Sequence, residues 1–369
     1  MKFDLILKYF LLWQILFLLI VATSQYIFPL RKTFLGGGAK FYVSNPLLYS
    51  RANFDGIHYV AIAKNSYGYA QQAFFPFYPN LIRFFTPYFK NPVVSGLLIS
   101  NLSFLISLIF LTRLIRLDYD VNTTKFAIIA LLVFPTSFYF GSVYTEGLFF
   151  LLAISSFYAA RRGRWWLAGI LGALAAYTRF VGIFLVPALL IELWLQNKHK
   201  KILNLIPVLL ISLGLLFYMF YLQRTTGDPF AFFNAIKLFG QHKGEKVILL
   251  YQVFWRYIKM VATVNRSDPL YFTIWMEFLA GIGFLVLSVY SFIKQRLSYA
   301  VFNFLAYIVP TLTGSFTSLP RYVLLCFPSF ILLGQLLTRH PRWRPAIIVT
   351  SVLLLIVLQA LFARGYWVG

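Results

Sequence analysis

Charged side chains are scarce in this chain, and acidic ones are the scarcest. Only 12% of its 369 residues are charged, and 10 residues are Asp or Glu. A soluble protein needs more charge than this to cover its apolar surface, so the composition excludes a soluble globular domain. The net charge of +23 would indicate nucleic-acid binding in a soluble domain. In a chain with so few charged residues, the positive charge instead predicts how the chain is oriented in a membrane.

Residues that build disulfides, metal centres and phosphate loops are also few. Cys326 is the single cysteine, so no internal disulfide can form and the redox compartment stays open. The four histidines are scattered and lack the spacing of a metal site. The glycine run at 36–38 lacks the Lys and Ser/Thr of a phosphate-binding loop, and we interpret it as a flexible loop.

Long runs of apolar residues dominate the sequence. It is 60% hydrophobic and 20% aromatic, with a mean hydropathy of +0.76. The apolar runs are long and nearly continuous, unlike the short alternating strands of a membrane barrel. They predict an all-α integral membrane protein, a single domain over residues 1–369, with about eleven transmembrane helices. The predicted spans cover roughly 5–28, 92–111, 126–140, 147–160, 165–177, 181–195, 202–222, 270–292, 299–313, 322–337 and 345–362.

Two long loops, about 30–90 and 224–268, interrupt the apolar runs. The mixture of polar and aromatic residues in the first loop predicts short helices lying in the membrane interface. The first apolar run is too long for a typical cleaved signal peptide, so we expect it to be retained as a span.

Charge distribution predicts the orientation. With the N-terminus in the cytoplasm, every short basic connector lies on the cytoplasmic side, as the positive-inside rule requires. These connectors are 113–125, 161–164, 198–201, 294–296 and 339–344. The long loops then lie on the opposite, extracytoplasmic face. That face collects Asp55, Glu146, Arg179, Asp228, Asp268 and Arg321.

This outer face has the residues for sugar transfer from a phosphate-activated lipid. A carboxylate such as Asp55, which is costly close to lipid unless solvated, paired or used, could accept a proton from an attacking hydroxyl. Cations could stabilise charge on the departing phosphate. The pattern alone is not specific, because channels and transporters also carry such residues.

A set of motifs makes the prediction more specific, because it resembles the GPI mannosyltransferase II (phosphatidylinositol-glycan class V) family of the GT-C glycosyltransferase superfamily. The motifs follow the family's order between Arg51 and Pro328. In the first long loop they comprise Arg51, Phe54-Asp55, His58-Tyr59, Ile62-Ala63, Gly68-Tyr69 and Ala73-Phe74-Phe75-Pro76-Phe77-Tyr78-Pro79. Further along the chain they comprise Phe134-Pro135-Thr136-Ser137, Tyr144-Thr145-Glu146-Gly147-Leu148-Phe149, Thr178-Arg179-Phe180-Val181-Gly182, Ser318-Leu319-Pro320-Arg321-Tyr322 and Phe327-Pro328.

The resemblance implies a GT-C-like helical bundle and an inverting transfer in which Asp55 is the catalytic base. The family usually has Trp where this chain has Phe54, which keeps an aromatic wall and could alter acceptor fit. The chain is compact for the family and is interpreted as a prokaryotic relative, whose acceptor need not be a GPI precursor. The resemblance implies no required metal or other cofactor, since the lipid-phosphate sugar is a co-substrate.

The resemblance also suggests substrate-binding residues, each with a structural alternative. Arg179 and Arg321 would hold the donor phosphate, or snorkel to the interface. Glu146 would orient the acceptor or a basic partner, or act only as a first-turn acid of its helix. His58, one turn after Asp55, would contact the same substrate or pair with the acid. Arg51 would bind substrate, or be the ion-pair partner of Asp55.

Three further acids are expected to be structural. Asp228 and Asp268 precede prolines, a common start of a turn. Glu277 lies inside a predicted span, where pairing with an internal Lys or Arg would offset its cost.

The sequence thus predicts a multi-pass glycosyltransferase, in a prokaryotic plasma membrane, with an extracytoplasmic active site. It would transfer a sugar, mannose in the first instance, from a polyprenyl-phosphate donor to a lipid-linked or cell-surface glycan. No nucleic-acid partner is expected. One alternative is a transporter or flippase of lipid-linked saccharides, which would need charges at mid-membrane and repeated broken helices. Another is a non-catalytic subunit that presents a glycolipid and does not need Asp55.

Overall fold

The computed structural model describes residues 3–197, 202–236, 248–266 and 269–368, and the regular elements within these ranges are all helical. The first nine α-helices are α1 (Phe3–Ile27), α2 (Gly38–Ser44), α3 (Pro46–Tyr49), α4 (Asp55–Asn65), α5 (Phe77–Phe89), α6 (Pro92–Ile115), α7 (Val121–Leu132), α8 (Glu146–Arg161) and α9 (Trp165–Thr178). They are followed by α10 (Leu185–Leu195), α11 (Ile202–Leu210), α12 (Ser212–Thr226), α13 (Ala231–Ile236), α14 (Leu250–Thr263), α15 (Pro269–Lys294), α16 (Leu297–Thr311), α17 (Leu319–Tyr322), α18 (Phe327–Arg339) and α19 (Arg344–Ala363).

Long apolar helices confirm a multi-pass helical membrane protein. Within the described residues, five segments are long and apolar enough to cross a bilayer: Phe3–Ile27, Pro92–Ile115, Leu203–Thr226, Leu270–Lys294 and Arg344–Ala363. A sixth results if Leu319–Leu325 and Phe327–Arg339, which meet at 85°, count as one broken span. Other apolar helices are shorter than 18 residues, too short to cross a bilayer unaided. The predicted number of eleven spans therefore stays a prediction.

Both long loops contain helices. The first loop forms α2 to α5, in agreement with the expectation of short helices there. Helix α5 buries Tyr78 and Ile82 and exposes the aromatic rings of Phe84, Tyr88 and Phe89. The second loop carries α14, which was not predicted. It buries Val253 and Tyr257 and exposes the aromatic rings of Tyr251 and Trp255. Exposed aromatic faces of this kind suit the membrane interface.

Small residues let the helices approach closely. A Cβ atom added at Gly214 of α12 would lie 2.0 Å from the backbone oxygen of Ala173 in α9. One added at Gly169 of α9 would lie 2.2 Å from the backbone oxygen of Pro207 in α11. Close backbone contact at small residues is how helices pack when lipid removes most of the hydrophobic driving force between them.

Two charged networks lie at opposite ends of α8. Glu146 begins the helix and Arg161 ends it, about 22 Å apart at the rise of an α-helix. At the Arg161 end, Glu192 is fully buried and accepts from Arg296 Nε at 2.7 Å and from Ser298 Oγ at 2.7 Å. Arg161 also pairs with Asp118 at 2.6 Å. This network ties α8, α10 and α16 together.

Replacing Glu192 with alanine should destabilise the protein strongly. The substitution removes the buried carboxylate that compensates Arg296 and lies 3.5 Å from Arg161 Nε. Breaking such a pair by removing one partner costs about 3–5 kcal/mol. Thermal unfolding in detergent would measure it, with the exposed Asp4→Asn as a control expected to change stability by less than about 0.5 kcal/mol. Equal stability of the two variants would contradict the assignment.

Candidate active site

Asp55 and Arg321 form the centre of the site. Asp55 is the first residue of α4, and Arg321 lies in the short helix α17. Arg321 Nη1 donates to Asp55 Oδ2 at 2.6 Å across 266 positions of sequence. The alternative that Asp55 pairs with Arg51 is therefore wrong, because α17 supplies the cation.

A second ion pair adjoins the first. Arg179, directly after α9, donates from Nη1 to Glu146 Oε1 at 2.6 Å and to Thr145 Oγ1 at 2.9 Å. Glu146 Oε1 also lies 3.6 Å from Arg321 Nε. Two acids and two arginines, predicted separately, therefore meet in one group. We call Asp55, Glu146, Arg179 and Arg321 the charge cluster.

The two acids of the cluster differ in exposure. The Asp55 side chain is 23% exposed, whereas that of Glu146 is 1% exposed. Glu146 Oε2 has no hydrogen-bond partner among the described residues. Asp55 is thus the acid that a substrate can reach, and Glu146 is placed to hold the two arginines.

Burial argues against the snorkelling interpretation of the two arginines, whereas binding of the donor phosphate stays a prediction. The side chain of Arg321 is 6% exposed, and its guanidinium lies 5.2–5.5 Å from the ring centres of Tyr139, Tyr144 and Tyr322. Arg179 lies 5.7 Å from the Tyr322 ring. A snorkelling arginine keeps its head group in water. These two are instead enclosed by aromatic rings and acids.

The backbone that carries Asp55 is strained. Phe54 has φ 56° and ψ −118°, a combination that a residue with a Cβ atom rarely adopts. Its N–H donates to the backbone oxygen of Phe34 at 3.0 Å, and its buried ring packs against Phe362 and Trp367. Strain of this kind persists where surrounding contacts over-determine the geometry, commonly at functional sites. The aromatic residue before the acid therefore faces the interior, where it fixes the start of α4.

The neighbouring Asn53 connects this turn to the chain terminus. Its Nδ2 donates to the backbone oxygen of Phe362 at 2.9 Å, and its Oδ1 accepts from the Gly36 N–H at 2.9 Å. The Tyr144 hydroxyl donates to the Asn53 backbone oxygen at 2.9 Å. Glycine 36 is required here, because an added Cβ would lie 2.2 Å from the Tyr49 carbonyl oxygen.

Glu277 supports the Arg321 side of the cluster. Its Oε2 accepts from the Tyr257 hydroxyl at 2.5 Å, and its Oε1 accepts from the Ser318 N–H at 3.2 Å. Ser318 has a left-handed backbone with φ 65°, and Thr136 Oγ1 donates to the Pro320 oxygen at 2.6 Å. The expected Lys or Arg partner of Glu277 stays a prediction. Its described contacts hold the turn before Arg321, a role that sequence reasoning missed because the partners are far apart in the chain.

His58 lies beside the cluster on α4. Its ring stacks on Phe74 with centroids 4.9 Å apart, and its Nδ1 lies 3.5 Å from Gln71 Nε2. Partial burial lowers the pKa of His58 below its usual 6.5, and the negative charge of Asp55 opposes this shift. A substrate contact by His58 stays a prediction.

The His58 pKa should therefore lie below 6.5, and Asp55→Asn should lower it further, because the opposing charge is removed. A pKa depressed in the folded state makes stability fall as pH drops below about 6.5, since the unfolded chain then binds the proton more readily. Nitrogen-15 histidine NMR, assigned with His58→Gln, measures the pKa directly. A value at or above 6.5, or a rise in Asp55→Asn, would contradict this account.

Arg51 is not brought to the charge cluster. Its Nη2 donates to Gln14 Oε1 at 3.0 Å and lies 3.5 Å from Asn101 Oδ1. Its guanidinium lies 4.2 Å from the Phe17 ring centre. Although Arg51 is four positions before Asp55, the turn between them sends the two side chains to different neighbours.

The remaining acids fall outside the cluster. Asp228 Oδ1 accepts from the Phe230 N–H and its Oδ2 from Asn234 Nδ2, each at 2.8 Å, which confirms a turn. Asp268 lies outside the described residues. Within the part of the chain that the structure describes, no group of three or more His, Cys, Asp or Glu could hold a metal ion.

The fold and the cluster define a multi-pass membrane protein whose charged groups lie at the ends of helices. The family model described as Mannosyltransferase (PIG-V) matches residues 3–350, and the chain belongs to that family. It is therefore a glycosyltransferase. Neither a curated protein nor a solved structure matches the chain.

Proposed function

We propose that the protein transfers mannose, with inversion, from a polyprenyl-phosphate donor to a hydroxyl of a lipid-linked or cell-surface glycan. The observation that carries this proposal is the contact between the accessible acid Asp55 and the buried Arg321. One group can accept a proton and the other can stabilise a phosphate, within a single site.

Asp55 is the general base of the proposed reaction. An acceptor hydroxyl attacks C1 of the donor sugar, and Asp55 takes its proton as the new C1–O bond forms. The bond from C1 to the phosphate oxygen breaks on the opposite face, which inverts the anomeric centre. Its electron pair leaves with polyprenyl phosphate, so protons and charge balance without a redox partner.

Arg321 and Arg179 serve the leaving phosphate. A guanidinium presents five N–H donors in a planar fork that matches phosphate oxygens. Arg321 Nη2 lies 3.5 Å from the Tyr322 hydroxyl, a long contact, so its N–H groups can turn to a phosphate while Nη1 stays with Asp55. Of the two roles expected of Glu146, its burial favours orienting a basic partner, so Glu146 keeps both arginines at the site. His58 contacts the substrate from α4.

An apolar cavity that reaches Pro320, the residue before Arg321, suits the lipid chain of the donor. It has a volume of about 410 Å³ and lies between α7, α15, α18 and α19, with Pro320 in its wall. Apart from Ser351 its lining is apolar, and it includes Phe134, Leu279 and Leu333. An isoprenoid chain in this cavity would bring its phosphate towards residue 321.

The charge distribution supports placing this site on the extracytoplasmic side of a prokaryotic plasma membrane, with the N-terminus in the cytoplasm. The basic connector at 161–164 follows the far end of α8 from Glu146. If positive connectors lie inside, the cluster lies outside.

A transporter of lipid-linked saccharides is the second candidate. The bend of 85° between α17 and α18 beside Arg321 favours it, since broken helices also form transport sites. A non-catalytic presenting subunit ranks last, because the chain belongs to a mannosyltransferase family.

Purified protein in detergent, given radiolabelled polyprenyl-phosphate mannose and native membrane lipids, tests the proposal. Transfer of label to a lipid or glycan product supports the enzyme, and the anomeric configuration of the product reports inversion. Polyprenyl-phosphate glucose and arabinose test the sugar. If no donor is consumed but label crosses the bilayer of reconstituted vesicles, the transporter replaces this proposal.

A further inference from the structure

Arg51 is a buried cation without an acidic partner. The residue is 9% exposed. Within 3–197, 202–236, 248–266 and 269–368, no Asp or Glu forms an ion pair with it. Its polar contacts are the neutral amides of Gln14 and Asn101, and its Nε has no hydrogen-bond partner in the same ranges. An arginine keeps its charge in a protein interior.

Four other arginines have the acidic partner that Arg51 lacks in the described part of the chain. Arg161, Arg179, Arg296 and Arg321 each lie within 4.0 Å of a carboxylate. A buried charge without a counter-charge strongly destabilises the folded protein. The Phe17 ring, 4.2 Å away, and two neutral amides offset only part of this cost. The site therefore favours an anion supplied from outside the chain.

A pocket of about 250 Å³ lies beside Arg51, between α1, α3 and α6. Besides Arg51, the amides of Gln14 and Asn101 line it, together with apolar side chains that include Phe10, Leu48 and Leu98. Leu11 of α1 comes directly after the lining residue Phe10, and Leu102 of α6 comes directly after Asn101. Both leucines are exposed, and both helices are candidate membrane spans. The pocket thus combines apolar walls with one cation, on helices whose outer faces suit lipid tails.

The pocket lies at the level of the charge cluster but is separate from it. Ser100 donates to the backbone oxygen of Tyr144, near the cluster, whereas the next residue, Asn101, lies at Arg51. Two cationic sites therefore occur at one height along α6. The linker 137–145 connects them, since the Val143 N–H donates to the Arg51 backbone oxygen at 2.8 Å.

We propose that this pocket binds the phosphate group of a membrane lipid, with Arg51 as the counter-charge and the apolar walls of α1 and α6 in contact with its tails. This site is additional to the donor-phosphate site at Arg321 and does not depend on it. A lipid phosphate fits better than a free anion, because most of the lining is apolar.

Binding of dioleoyl phosphatidic acid to delipidated protein in neutral detergent tests the proposal, by thermal shift and by native mass spectrometry. Dioleoylglycerol has the same tails without phosphate, and inorganic phosphate lacks the tails. We expect the phosphatidic acid to stabilise the wild type and the other two probes to have little effect. Arg51→Gln should weaken the apparent affinity about ten-fold or more, since a charge-assisted hydrogen bond is lost.

Two further variants keep the test decisive. Leu98→Trp fills the pocket and leaves Arg51 in place, so it should weaken binding even if Arg51→Gln does not fold. Arg113→Gln removes an exposed arginine of the same helix and should leave binding unchanged. Equal affinity of wild type and Leu98→Trp would overturn the proposal, as would equal stabilisation by dioleoylglycerol or by inorganic phosphate.

Discussion

Asp55→Asn is expected to lower kcat for sugar transfer by about 10²–10⁴-fold, the contribution of a positioned general base. Asparagine keeps the size of the side chain and a hydrogen-bond acceptor for Arg321 Nη1, which donates to Asp55 at 2.6 Å. It cannot accept the proton of the acceptor hydroxyl. The loss should therefore appear in the chemical step, measured in single-turnover experiments with saturating donor.

The same substitution at a second acid is the control for the general effect of removing one negative charge. Asp228→Asn changes a half-buried acid that caps a turn outside the charge cluster, so transfer should stay within experimental error of the wild type. Thermal unfolding of both variants reports folding independently of activity. If Asp55→Asn remains folded and transfers sugar at the wild-type rate, Asp55 is not the base.

Arg321→Gln is expected to lower kcat/KM for the donor by about 10²–10³-fold, comparable to the loss of one donor that stabilises charge in a transition state. The substitution removes the guanidinium that contacts Asp55 at 2.6 Å and lies 3.6 Å from Glu146. Arg321→Lys keeps the charge but loses the planar fork, so its activity should be intermediate. Steady-state kinetics at varied donor concentration gives these values.

Stability must be measured beside the kinetics, because Arg321→Gln leaves Asp55 without its partner and Glu146 with Arg179 alone. A shortened donor that lacks most of the lipid chain distinguishes phosphate recognition from chain recognition. Arg342→Gln, at an exposed position between α18 and α19, is the control and should behave as the wild type. An unchanged donor kcat/KM in folded Arg321→Gln would remove this residue from phosphate stabilisation.

The charge cluster connects the two predictions. Removing Asp55 deletes a charge from the accessible edge, whereas removing Arg321 deletes the group that touches both acids. Effects of residues in one network are not additive. The double variant Asp55→Asn/Arg321→Gln should therefore lose less activity than the product of the two single losses.

Much of the architecture could be predicted from local sequence. The apolar run at 345–362 corresponds to α19 (Arg344–Ala363), and the run at 5–28 to α1 (Phe3–Ile27). Hydropathy along a run depends on neighbouring residues, so it can be read without knowing the fold. The same holds for Asp228, whose turn contacts lie within six positions of it.

Local sequence also selected the four residues of the charge cluster, through motifs and predicted topology, but not their pairing. Arg51 stands four positions before Asp55, yet the cation at Asp55 is Arg321, 266 positions away. The strained backbone of Phe54 could not be predicted from the sequence either. The same is true of the contacts of Glu277 with Tyr257 and Ser318. The segments that prefer lipid, and the ionisable residues that interrupt them, can be predicted from the amino-acid sequence alone, because the free energies of transfer to lipid are local. Only the packing of distant helices decided which charges meet, because an ion pair depends on a separation of a few ångströms in space.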